Sequence, residues 1–245
     1  MSDSLHMKVT FDHIAIALER VADAPAVLVG VLGGAPYTGG TNRDFSFGAW
    51  RFQGGGVIEI LEPRGEDGFL HRFLARHGPG IHHVTFRVPS LRAACDHAEA
   101  RGYRVVGYDD SNPVWATAYL HPKEAQGIVV QLAASSGTGA RRPWPPPPGP
   151  PGPPPAVTMI GLRLRARSRE RTEVQWGDVL GGEATVGPSG ELVFRWPASP
   201  LRIAVEIDPV GAAGPVSIEF ASERGVRLPA GPLGAVFAQR PAAGS

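Results

Sequence analysis

Cysteine is almost absent from this chain. Cys95 is the single one in 245 residues, so no disulfide can form within the chain and no cluster of thiolates can hold a metal. An excess of one charge sign is also missing. The net charge is +1 with 19% charged residues, which removes any demand for a polyanionic partner such as nucleic acid. No apolar run approaches the roughly 18 residues of a membrane helix, and Met1 to Met7 do not pair a basic stretch with an apolar one. The expectation is a cytoplasmic protein without nucleic-acid or membrane partners.

What is abundant is glycine (32) and proline (25), and the prolines are concentrated. Residues 143–155 read PWPPPPGPPGPPP, a sequence that cannot enter a helix or sheet interior. It is expected to form a polyproline II spacer reaching roughly 40 Å at about 3.1 Å per residue. The expected organisation is a first domain at 8–135, a proline-rich linker at 136–156, a smaller piece at 157–225 and a tail at 226–245.

Within 8–135, strand-like and helix-like runs alternate. Val9 to Leu18 reads as a strand. Val21 to Leu32 has helical apolar spacing, with Pro25 early and Gly33-Gly34 as a stop. Phe45 to Phe52 and Gly56 to Leu61 read as strands, and Gly68 to His77 as a short amphipathic helix. The order then repeats. A strand at 81–88 precedes Ser90, an N-cap for a helix that aligns Leu91, Ala94, Cys95 and Ala98 on one face. Strands near 103–108, 115–121 and 127–133 complete the second unit. A third copy follows the prolines, where Val31-Leu32-Gly33-Gly34 recurs as Val179-Leu180-Gly181-Gly182. The fold class expected is α+β: two βαβββ modules and a degenerate third, with no fourth helix-plus-strands unit after Phe220.

The two full units each open on a histidine-bearing strand, DHIAIA at 12–17 and HHVTFR at 82–87. Side chains on a strand alternate between faces. His13, Ala15 and Ala17 therefore share one face, and His83, Thr85 and Arg87 share the matching face of the second strand, whereas His82 points the other way. A lone strand histidine is ordinarily a satisfied core or surface residue. Matched parity in repeated units instead favours a shared metal site. The same parity picks out Glu59 in VIEIL at 57–61, a carboxylate among aliphatic neighbours, and Gln131 in GIVVQL at 127–132. His13, Glu59, His83 and Gln131 form a candidate ligand set for a divalent Co, Ni, Mn, Fe or Zn ion. In the third copy the corresponding positions carry Gly161, Val205 and Ser217, so that module keeps the scaffold without the ligands.

These stretches, together with FLHRFLARHGPG at 69–80 and YLHPKEAQGIVVQL at 119–132, resemble the vicinal oxygen chelate (glyoxalase/bleomycin-resistance) superfamily. Residues 8–135 most resemble the methylmalonyl-CoA epimerases. The resemblance implies paired βαβββ modules forming an incomplete barrel around a divalent metal. His13 and His83 match the two histidine ligands, and Glu59 falls where the family has Gln or Glu. Gln131 falls where it has a glutamate that is both ligand and acid/base. The implied reaction is epimerisation of a 2-substituted acyl-CoA through an enolate, with a small-molecule substrate as partner. An amide at 131 cannot take a proton, which puts the acid/base pair in doubt. The second base of the family aligns with Arg43, and Asp44 beside it could serve after a small register shift. Two alternatives are a non-haem metal dioxygenase of the same superfamily and a non-catalytic small-molecule binder.

Arg163, Arg165, Arg167, Arg169 and Arg171 alternate with other residues. An extended segment would align them as an anion-binding face or as a solvated edge that discourages aggregation. The unpaired third module is a plausible element for a homodimer.

Overall fold

The computed structural model describes residues 8–112, 114–135 and 145–241. Parts of the expected linker and tail, and the stretch Met1 to Met7, lie outside the described residues. Among the described residues, fourteen strands form two mixed sheets. The first module supplies β1 (Thr10–Ala17), β2 (Ala35–Thr41), β3 (Phe45–Arg51) and β4 (Val57–Pro63). The second supplies β5 (Gly80–Arg87), β6 (Val105–Asp109), β7 (Ala116–Leu120) and β8 (Val129–Ala134). Together they form an eight-stranded sheet in the order β2-β3-β4-β1-β5-β8-β7-β6. The third module gives β9 (Thr158–Ala166), β10 (Glu183–Val186), β11 (Leu192–Arg195) and β12 (Arg202–Ile207), and β13 (Gly214–Ala221) and β14 (Phe237–Arg240) follow. Their sheet runs β10-β11-β12-β9-β13-β14. The second order repeats the first strand for strand and stops two strands short, so β13 and β14 stand where β5 and β8 stand.

That comparison amends two expectations. A strand lies inside the stretch expected as a tail: β14 pairs in parallel with β13, as β4 pairs in parallel with β1. At four residues, FAQR, it is too short to show alternation. The expected βαβββ order needs one more strand before Phe45, to which no residues were assigned, and β2 (Ala35–Thr41) is that strand despite Pro36, Gly39 and Gly40. It sits at the sheet edge, where a proline needs no ladder partner for its missing N–H, and its register slips between Pro36 and Thr38.

The helices follow local chemistry. Ser90 accepts a hydrogen bond from Ala93 N at 3.3 Å and opens α3 (Leu91–Glu99), with Leu91, Ala94, Cys95 and Ala98 buried as their spacing requires. The expected helix at 21–32 is instead a 3₁₀ turn at Val21–Asp23 and one α-turn, α1 (Pro25–Leu28). Pro25 is tolerated only at the start of a helix, and the bonds beyond it loosen, with Gly30 N and Leu32 N each reaching five residues back. The amphipathic helix α2 (Phe69–His77) buries Leu70 and Leu74.

The described residues form two compact units. One draws on the ranges His13–His83, Arg141–Leu162 and Val216–Ser245. In it Leu70 and Leu74 of α2 pack on Ala15, Ala17 and Leu61, with Phe45, Phe47 and Phe73 around them. The described part of the proline-rich segment, residues 145–155, belongs here as well, and it is a strap rather than a free spacer. Pro146 is buried; a Cβ on Gly48 would stand 2.8 Å from its Cβ, and one on Gly30 would stand 2.7 Å from Pro150 Cγ. The end of the strap is tied by Val157 N to Leu32 O (3.0 Å) and Gln53 N to Val157 O (3.1 Å). Arg224 donates to Val31 O and Pro155 O at 2.7 and 3.2 Å. Composition sets the stiffness of such a segment, but not the surface it lies on.

The other unit draws on Met1–Asp12, Val84–Ala140 and Arg163–Pro215. Its core is aromatic. Phe11 stacks on Phe86 with centroids 4.8 Å apart, and Trp196 packs on both, at 5.7 Å from Phe11 and 4.8 Å from Phe86. Trp196 Nε1 donates to Leu180 O at 2.6 Å, which satisfies the polar end of a fully buried ring. Trp196→Ala is expected to lower stability by about 3–5 kcal/mol, the usual cost of deleting a buried large aromatic. Urea denaturation of the two proteins measures this, and a loss below about 1 kcal/mol would contradict the packing role.

Candidate metal centre

The register between β1 and β4 sets Ala15 beside Glu59. His13 lies two residues before Ala15 on the same face, so the imidazole and the carboxylate are diagonal neighbours, within reach of long side chains. On its other side Glu59 pairs with Ala49 of β3. Flanked in register by two alanines, the carboxylate has room to turn toward His13, and Glu59 Oε1 lies 3.4 Å from His13 Nε2. The ring of His83 approaches that of His13 edge-on at 5.9 Å between centroids. One donor atom from each of His13, Glu59 and His83 falls within 4.8 Å of the others. Both histidines are 5% exposed.

A carboxylate held this deep is costly unless a positive charge compensates it. Two imidazoles and a carboxylate are also a donor set suited to a divalent transition metal. Ligand bonds of about 2.0–2.2 Å place the donors of one ion up to roughly 4 Å apart. Side-chain closure of about 1 Å brings the three donors to that spacing, and the residues present fit a divalent ion. Among the described residues, no other group of three or more His, Cys, Asp or Glu side chains is so arranged.

His82 was set aside on parity, yet it is part of this neighbourhood. Its Nδ1 lies 2.8 Å from Nδ1 of His83. Its ring packs against Phe73 at 4.8 Å and Phe69 at 5.5 Å, both from α2. Burial pushes its pKa down to about 4. Parity separates neighbouring side chains at Cβ, but rings that lean along the strand can still meet at their nitrogens.

Gln131 belongs to the second compact unit and is 7% exposed. Thr85 Oγ1 donates to its Oε1 at 2.7 Å, and its Nε2 donates to the Tyr119 hydroxyl at 3.2 Å. Tyr119 faces it directly in the β7–β8 ladder. Both ends of the amide are therefore engaged, and the O/N assignment follows from a hydroxyl donating at one end. Thr85 and Tyr119 were not singled out in the sequence, because only the strand register brings Tyr119 to Gln131.

Asp44 is not in the cluster. It is exposed on the turn between β2 and β3, where Asn42 Oδ1 accepts from the backbone N–H groups of Asp44 and Phe45 at 2.9 and 2.8 Å. Arg43 is 97% exposed.

The alternating arginines do not form one face. β9 ends at Ala166, and the chain turns into the helical segment α4 (Arg169–Thr172). Arg163 pairs with Glu191 at 3.2 Å, Arg165 with Asp208 at 3.6 Å and Arg169 with Glu173 at 3.0 Å. Arg167 donates to Gly211 O at 2.8 Å, and Arg171 lies over the Tyr103 ring at 4.6 Å. The row is consumed by internal partners, so it is neither an anion-binding face nor a free edge.

Comparison with known proteins agrees with this architecture. Residues 12–117 match the model of the Glyoxalase/Bleomycin resistance protein/Dioxygenase superfamily. An uncharacterized protein of Bacillus subtilis (strain 168), YqjC, is 30% identical over 132 residues, covering 51% of this chain and 92% of that protein. The ethylmalonyl-CoA/methylmalonyl-CoA epimerase of Cereibacter sphaeroides is 35% identical over 82 residues, covering 31% of this chain and 59% of the epimerase. A triple mutant of 4-hydroxymandelate synthase from Streptomyces coelicolor superposes with a TM-score of 0.62 at 14% identity. That match covers 89% of this chain and 72% of the synthase, and it speaks to the fold alone. With repeated modules, an open mixed sheet and two histidine-bearing strands in common register, the chain belongs to the glyoxalase/bleomycin-resistance/dioxygenase superfamily.

Proposed function

We propose that this chain is a divalent-metal-dependent enzyme acting on a small molecule that offers adjacent oxygen donors, most like a 2-substituted acyl-CoA. The reaction proposed is exchange of the proton α to its thioester carbonyl. The observation that carries the reading is the convergence of His13, Glu59 and His83 donor atoms within 4.8 Å. The acyl-CoA class is supported by the likeness to the ethylmalonyl-CoA/methylmalonyl-CoA epimerase.

His13, Glu59 and His83 would hold the ion; Gln131, expected from the sequence as a weaker fourth ligand, belongs to the other compact unit. A bound divalent ion supplies Lewis-acid polarisation of a carbonyl oxygen. Glu59 contributes the one negative charge of the set, and the two imidazoles hold their lone pairs on a buried face. Gln131 cannot take a proton near neutral pH. With its oxygen accepting from Thr85 and its nitrogen donating to Tyr119, it acts as an orienting group. Asp44, exposed on its turn, is not assigned the role of base.

The donor set itself favours a second reading. Two histidines and one carboxylate with open positions match the facial arrangement of non-haem Fe(II) oxygenases.

Two experiments separate these readings. Elemental analysis of purified protein is expected to find a divalent ion that His13→Ala loses, the affinity falling by more than the roughly 10–100-fold typical of removing an outer-shell partner. Equal metal content in both proteins would overturn the site. In D₂O, Gln131→Glu is expected to raise exchange of the α-proton of an acyl-CoA by about 10²–10⁴-fold, the usual contribution of a positioned acid/base group. Mass spectrometry of the recovered thioester reads it. Bound metal with no gain in exchange would reject the epimerase chemistry. Oxygen consumption with catechols would then divide an oxygenase from a protein that only sequesters its ligand.

A further inference from the structure

We propose that His82 is a positioning residue that fixes the tautomer and orientation of His83, so that His83 presents Nε2 to the cation. The inference rests on the metal reading above. A neutral imidazole carries one N–H and one lone pair, and a cation takes the lone pair. The Nδ1 of His83 is engaged at 2.8 Å with the Nδ1 of His82. Two nitrogens at that distance need one proton between them, and the pair can share it in only two ways. If His83 is a ligand, its Nδ1 carries the proton and donates, His82 Nδ1 accepts, and Nε2 of His83 is the coordinating atom.

Metal-binding histidines ordinarily donate their other N–H to a carboxylate, a carbonyl or water. Here the acceptor is the preceding side chain on the same strand. It is itself held in place, since the His82 ring packs against Phe73 at 4.8 Å and Phe69 at 5.5 Å. The run from α2 through His82 to His83 thus ties one turn of an amphipathic helix to a ligand of the site.

The test uses the full-length protein, stripped of metal and titrated with Zn(II) against a chromophoric chelator. His82→Phe keeps a ring between Phe69 and Phe73 but removes the acceptor, and its affinity is expected to fall about 10–100-fold. His82→Asn places an amide oxygen where Nδ1 stood and is expected to recover part of the loss. Long-range ¹H–¹⁵N spectra of Zn(II)-loaded wild type should show His83 protonated at Nδ1. A tautomer protonated at Nε2 would overturn the proposal even if His82→Phe fails to fold. Equal affinity of wild type and a folded His82→Phe would overturn it while leaving the metal site standing. Failure of wild type itself to bind Zn(II), Co(II) or Mn(II) would overturn both.

Discussion

Glu59 sets the terms for the rest of this molecule. A carboxylate on an interior strand face, 15% exposed at its side chain, has lost most of its hydration, and only a close positive partner makes that tolerable. The fold sets two imidazoles beside it by symmetry of construction. β1 and β5 each open a module, and each aims a histidine to the same side. β4 lies in parallel beside β1 with Ala15 and Glu59 in register. The alanines at 15 and 49 matter as much as the ligands, because a larger side chain at either would crowd the carboxylate. His13, Glu59 and His83 are three consequences of one arrangement.

The same construction is used again without the ligands. The second sheet keeps the strand order of the first through β14, and Gly161 and Ser217 occupy the places of His13 and His83. What the third module adds is aromatic bulk. Trp176 and Trp196 pack on Phe86 at 6.1 and 4.8 Å, on the reverse of the strand that presents His83 and Thr85. An apolar backing restrains β5 from the side opposite its polar face. This is a structural role for a module that carries no such ligand set. The buried Glu219, paired with Arg240 at 2.8 Å, shows that the short β14 is anchored by more than its ladder.

Much of this was legible in the sequence, for identifiable reasons. Strand parity depends on backbone stereochemistry alone, so the faces of His13, Glu59, His83 and Gln131 could be assigned from the run of residues. The Ser90 cap and the helix behind it were legible because capping is local. Long-range register was not. Tyr119 meets Gln131 only through the pairing of β7 with β8, and no local pattern encodes that partner. His82 was lost to the same rule that found His83, since parity describes where Cβ points and not where a ring nitrogen ends. The prolines did not reveal where the strap lies, since its docking depends on the gaps that Gly30 and Gly48 leave on the first module. The arginine series failed for the opposite reason: its alternation is real, but the strand ends before the series does.

Gln131 is held by partners that distinguish an amide from a carboxylate. Thr85 can donate to an oxygen at position 131 whether that oxygen belongs to an amide or a carboxylate, so this bond does not discriminate between them. Tyr119 does. Facing an amide nitrogen it accepts, as it does here at 3.2 Å; facing a carboxylate it would have to donate its own proton. The phenol is thus oriented by the residue it serves, and its O–H points away from Gln131. That bond pattern suits an amide at position 131 and would have to reverse at Tyr119 for a carboxylate.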